Sequence, residues 1–180
     1  MANDILIHVT GLCALLLNVF ALLRTCERSL RVHSGIAGMV WALNNLLLGA
    51  HTAAALSLVS AGRTATSAVT LKTGDRGRLS AFAAFAALTL LVSAVTWHGL
   101  PSVLLALASL LSTYAMFYLR GKRLRWTMLI VSGLWMHNAW SNDSWEQVAA
   151  NLATAAAALY GAWRAHGADT PEAGRQRHAA

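Results

Sequence analysis

The chain has 180 residues, of which 57% are hydrophobic and only 12% charged, and its mean hydropathy is +0.51. A soluble domain carries about 25% charged residues, so an ordinary soluble globular fold is excluded. Runs such as LSAFAAFAALTLLVSAVTW lack the apolar–polar alternation of a membrane β-barrel, which leaves a polytopic α-helical membrane protein.

Seven spans follow from the length a helix needs to cross a bilayer, at roughly 5–23, 33–50, 52–71, 79–97, 100–119, 126–141 and 145–163. The first superficially resembles a signal peptide. Its start is acidic (Asp4), however, and its positive charge follows the apolar run, so it is expected to be retained as a span. Cys13 and Cys26 are too few and too close for a disulfide framework.

The connections alternate in charge. Arg24, Arg28 and Arg31 follow the first span, and Lys72, Arg76 and Arg78 the third. Arg120, Lys122, Arg123 and Arg125 follow the fifth, and Arg164, Arg175 and Arg177 the seventh. The connections at 49–51, 97–99 and 142–144 contain no Lys or Arg. Thirteen of the 14 basic residues therefore fall on one side, which is expected to be cytoplasmic, with the N-terminus outside and the C-terminus inside. The net charge of +7 is thereby explained by topology and anionic headgroups, without a nucleic acid partner. The tail over 165–180, with Pro171 and Gly174, has no apolar period and is expected to be disordered. The remaining basic residue, Arg63, lies inside the third span.

A shift of 94 residues superposes Leu30-Arg31 on Leu124-Arg125, Trp41 on Trp135 and Asn44 on Asn138. Two parallel three-helix repeats are expected, over 1–72 and 99–164. A linker with helix four, over 73–98, restores the orientation between them, a plan known among transporters.

The blocks LLLGAHTAAALSLVSAGRT (46–64), LPSVLLALASLLSTYAMF (100–117) and HNAWSNDS (137–144) resemble the YgjV-like bacterial inner-membrane proteins. The resemblance implies the bacterial inner membrane as the compartment and no particular chemistry. In architecture the 3+1+3 plan resembles the SWEET sugar transporters and the PnuC vitamin transporters. The Pro-Gln motif of the sugar carriers is absent, since neither Pro101 nor Pro171 precedes glutamine.

Polar residues inside the spans are the candidate site. Ser57, Ser60, Thr64 and Ser67 recur at helical spacing on helix three, beside Arg63. Trp41 and Asn44 share a face of helix two, with Asn45 adjacent, and Trp135 and Asn138 share a face of helix six, beside His137. Helix seven adds Asn151, Thr154 and Tyr160. Trp41, Asn44, Ser60, Arg63, Trp135, His137, Asn138 and Asn151 are the expected solute-binding residues. Asparagine amides both donate and accept, and indoles offer flat apolar walls. Two readings compete for the asparagines: bonds to neighbouring helices, or contact with a solute. For Arg63 the alternatives are snorkelling or carbonyl bonding, and an anion seat, since no acidic residue lies inside any span.

The leading expectation is a facilitative transporter of a small polar or anionic metabolite, without a cofactor and without catalysis. Its expected partners are the bilayer, the solute, and a homo-oligomer or larger membrane complex. The alternative is an accessory subunit of such a complex. A third reading is a haem or metal protein using the outer-leaflet residues His8, His51, His98 and His137, although no pair has the i, i+4 spacing of a helical metal site.

Overall fold

A computed structural model of the chain describes residues 2–22, 27–70, 74–119 and 121–168. Seven helices run through them: α1 (Ala2–Leu22), α2 (Glu27–Leu47), α3 (His51–Thr70), α4 (Asp75–Val95), α5 (Leu100–Tyr118), α6 (Gly121–Ser141) and α7 (Trp145–Ala168). No strand occurs among the described residues. Each expected span falls on one helix. Helices α2 and α6 begin about a turn and a half earlier than their apolar runs, because Glu, Arg and Lys propagate a helix as well as Leu does. Helix α7 continues through 165–168, where a disordered tail was expected, while 169–180 lie outside the described residues.

The turns explain why the chain reverses where it does. Gly49 (φ 75°), Gly99 (φ 84°) and Asp143 (φ 52°) are the left-handed residues of the three connections that lack Lys and Arg. Glycine meets no Cβ clash there, and aspartate is among the side chains that tolerate the conformation. Pro101 then starts α5 in its first turn, where a missing N–H costs nothing. Asp75 does the same service for α4, placing negative charge at its N-terminus and accepting from Arg78 at 2.7 Å.

The helices close into a ring in the order α1–α2–α3–α5–α6–α7, with α7 returning to α1. Helix α4 stands outside it, packed on α3 and α5. Every neighbouring pair among α1, α2 and α3 has its counterpart among α5, α6 and α7. The seam between α3 and α5 likewise corresponds to the seam between α7 and α1.

Burial is inverted relative to a water-soluble core. Ala14, Ala21, Ala37, Ala53, Ala108, Ala115 and Ala139 are buried together with Ser, Thr and Asn side chains, whereas Ile5, Leu16, Leu91, Val95 and Ile130 are exposed. Small residues let helix backbones approach closely where apolar surface gains nothing by avoiding its surroundings. Gly38 is one such point, since a Cβ there would lie 3.2 Å from Ala61 Cβ on α3. Among the described residues, three segments are long and apolar enough to cross a membrane by composition: Asn3–Ala21, Asp75–Val95 and Leu100–Tyr118. Helices α2, α3, α6 and α7 carry Asn44, Asn45, Arg63, Asn138 and Gln147, which lower their hydropathy and are buried inside the bundle.

Candidate functional site

The ring lines an open cavity of about 220 Å³. All six ring helices line it and α4 does not. Asn18 comes from α1, Ser34, Ala37, Gly38 and Trp41 from α2, and Ser57, Ser60 and Arg63 from α3. Ser112 comes from α5, Met128, Val131, Ser132 and Trp135 from α6, and Gln147, Ala150, Asn151 and Thr154 from α7.

Most of these residues pair at the 94-residue interval. Asn18 corresponds to Ser112, Ser34 to Met128, Ala37 to Val131 and Gly38 to Ser132. Trp41 corresponds to Trp135, Ser57 to Asn151 and Ser60 to Thr154. Arg63, Gln147 and Ala150 are the exceptions, opposite Ala157, Ala53 and Leu56. The cavity is thus lined twice by the same positions, and differs between its halves in chemistry.

That difference is greatest at the two seams. Between α1 and α7, Asn18 Nδ2 donates to Thr154 Oγ1 at 3.3 Å. Between α3 and α5 stands Arg63, only 5% exposed. Its Nη1 donates to the Ser109 carbonyl (3.0 Å) and to Thr113 Oγ1 (2.8 Å), and its Nη2 donates to Ser60 Oγ (3.3 Å). The Ser109 carbonyl also accepts from Ser112 Oγ and Thr113 Oγ1, while Ser109 Oγ and Thr89 Oγ1 share a bond that brings α4 to this node. Among the described residues no carboxylate pairs with Arg63, and its Nε has no acceptor. Arg63 does not snorkel toward the C-terminal end of α3. It bonds one turn back, at Ser60, and the middle of α5, in keeping with the N-terminal tilt of helical side chains.

Of the expected solute-binding residues, Trp41, Ser60, Arg63, Trp135 and Asn151 line the cavity, while Asn44, Asn138 and His137 do not. Asn44 is fully buried, but its Nδ2 donates to the Ile7 carbonyl (2.7 Å) and to Thr10 Oγ1 (3.1 Å), joining α2 to α1. Asn45 donates to the Trp41 carbonyl (2.9 Å) and to Ser57 Oγ (3.4 Å), joining α2 to α3. Asn138 is buried within α6, where its carbonyl accepts from Asn142 Nδ2 at 2.8 Å. Each asparagine lies three residues past the last lining tryptophan of its helix; Asn44 bonds α1 there, whereas the buried Nδ2 of Asn138 has no partner. His137 is exposed, and so is Tyr160, which packs on Trp163.

Asn18, Ser112, Ser132 and Gln147 are lining residues that the sequence reading passed over. The first three lie at positions that the 94-residue shift pairs with other lining residues, although the shift alone does not mark lining, since it also pairs Asn44 with Asn138. Gln147 has no such signal.

The histidines do not gather. His8 Nδ1 lies 2.7 Å from Glu146 Oε1, joining α1 to α7, and His98 Nδ1 lies 2.7 Å from the Thr96 carbonyl. Among the described residues no group of three His, Cys, Asp or Glu side chains is placed to hold a metal ion.

No curated protein and no solved structure is similar enough to the chain to match it. Residues 5–169 match the family model Imp-YgjV, described as a bacterial inner membrane protein. The match spans nearly the whole chain, all seven helices and the cavity between them, and the protein therefore belongs to the Imp-YgjV family of bacterial inner membrane proteins.

Proposed function

We propose that the protein is a facilitative carrier of a small polar or anionic solute across the bacterial inner membrane. The α1–α3 and α5–α7 triplets would act as two repeats, parallel across the membrane, with α4 as the linker between them. All seven helices would span the bilayer, the N-terminus outside and the C-terminus inside. The ring order, with equivalent contacts in both triplets, supports this plan. So does the placement of the three tight turns in connections without Lys or Arg.

The observation that carries the reading is a cavity lined by both triplets at equivalent positions and containing a buried, unneutralised arginine. A charged side chain inside a membrane helix costs at least about 2.5–3.5 kcal/mol and marks a solute pathway by default. Substrate sites at the interface of repeats, reached alternately from the two sides by rocking of one repeat on the other, are the general solution for such folds. Among the described residues no carboxylate lines the cavity, which disfavours coupling to Na⁺ or H⁺ through a carboxylate relay.

The test is uptake by purified protein in liposomes, measured for labelled small neutral and anionic solutes against protein-free vesicles. Saturable uptake of at least one solute is expected. Uptake indistinguishable from protein-free vesicles for both classes removes the transport reading.

A further inference from the structure

Two asparagines of the cavity lining are held by their nitrogens, which leaves their amide oxygens over. Asn151 Nδ2 donates to the Gln147 carbonyl at 2.9 Å, and a carbonyl only accepts, so the nitrogen must face it. Asn18 Nδ2 donates to Thr154 Oγ1 at 3.3 Å, while Thr154 sends its one hydroxyl proton to the Ala150 carbonyl at 2.9 Å. The hydroxyl therefore accepts from Asn18, and again the nitrogen is the bonded end. Both side chains are half-buried and line the open cavity, and among the described residues neither Oδ1 has a partner. Neither oxygen is covered by protein, in contrast to the Nε of Arg63 and the Oε1 of Gln147.

The two oxygens belong to one wall, where α1 meets α7. Thr154, which holds the Asn18 amide, lies three residues beyond Asn151 on α7, and side chains at that spacing have Cβ atoms about 5–6 Å apart. Trp41 packs on Ala14 of α1 and Ala150 of α7, so an indole stands beside the same wall and offers a planar ligand an apolar surface.

This wall selects by charge. A carboxylate or phosphate would set its lone pairs against those of two amide oxygens. Arg63 offers an anion little in return. Both Nη1 hydrogens go to α5, at the Ser109 carbonyl and Thr113 Oγ1, one Nη2 hydrogen goes to Ser60 Oγ, and Nε is covered. An ammonium would bond the oxygens, but among the described residues no carboxylate lines the cavity to balance it, and it would share that space with the charge of Arg63. A neutral donor remains. An NH₂ group carries two N–H on one nitrogen and spans neighbouring acceptors, whereas a hydroxyl supplies one. A cavity of roughly 150 Å³ takes benzene, so one of about 220 Å³ has room for a small amide.

We infer that the cavity takes a small uncharged compound bearing a primary carboxamide or urea group. Its N–H donors bond the Oδ1 atoms of Asn18 and Asn151. The inference rests on the cavity being the solute site proposed above, and narrows that solute to a neutral one.

The test is equilibrium binding to the purified full-length protein in detergent, by calorimetry, with four probes of matched backbone. These are succinamide, its monoanion analogue succinamate, its dianion analogue succinate, and N,N,N′,N′-tetramethylsuccinamide, which is neutral and has no N–H. Succinamide is expected to bind at least tenfold more tightly than each of the other three. Asn151→Leu, which removes one oxygen, is expected to weaken succinamide about tenfold. The comparison among the four probes needs no variant, so it stands even if Asn151→Leu does not fold. Binding of succinamate, succinate or the tetramethyl compound as tight as that of succinamide, or no saturable binding of succinamide, overturns the inference. Uptake into liposomes separates it from the transport reading. Succinamide bound but not carried removes transport alone, whereas saturable uptake of an anionic solute without succinamide binding removes only this assignment.

Discussion

Arg63 and Thr113 meet at 2.8 Å across the seam between α3 and α5, whereas the 94-residue shift puts Ala157 of α7 and Val19 of α1 at the corresponding positions. The α1–α3 triplet thus carries a buried cation where the α5–α7 triplet carries a methyl group. The hydroxyl of Thr113 both accepts from Arg63 and donates to the Ser109 carbonyl at 2.7 Å, so it holds the guanidinium against α5. Thr113→Val is expected to lower stability by about 1–3 kcal/mol, the cost of removing a buried partner from a charged group. A thermal melt of the variant in detergent that overlays the wild type would contradict this role.

Asn44 lies outside the cavity lining and bonds α2 to α1. Asn44→Ala removes two interhelical bonds and is expected to cost about 1–2 kcal/mol, above the ~0.6 kcal/mol average for one such bond in a membrane protein. Uptake per folded molecule stays within about twofold of the wild type. A tenfold loss of uptake with unchanged stability would return Asn44 to the solute path.

The helices and their reversals were legible because apolar run length and the alternation of basic loops are strong, local signals. The facing of Asn44 was not. It shares a helical face with Trp41, yet one further turn carries its amide to α1, and only the order of helices in the ring says which neighbour stands there. Asn18 is a lone amide in an apolar helix and gives no local signal. Its place is set by the packing of α1 against α7, where it bonds Thr154.

Glycines on α2 and α6 predict opposite signs. Gly38→Leu drives a side chain into Ala61 and is expected to cost about 1–3 kcal/mol through overpacking. Gly133 has nothing within 4 Å of a built Cβ, so Gly133→Ala is expected to be neutral or to stabilise by up to about 1 kcal/mol from helix propensity. Thermal melts of the two variants check both signs.

The proposed orientation predicts which loops reach the periplasm. In a background with Cys13→Ser and Cys26→Ser, His98→Cys is expected to react with a membrane-impermeant maleimide in intact cells. Arg123→Cys is expected to react only after the inner membrane is opened. The reverse pattern would invert the topology, and labelling of both in intact cells would break the seven-span count.

The central claim is that solute passes through the cavity between the triplets. Its most direct test is uptake into liposomes by monodisperse protein in which Ser132→Trp or Ser34→Trp fills the cavity, compared with Leu91→Trp on the exposed face of α4. The account predicts saturable uptake for the wild type and Leu91→Trp, and at least a tenfold loss for both cavity-filling variants. Uptake by folded Ser132→Trp and Ser34→Trp at the wild-type rate would contradict it.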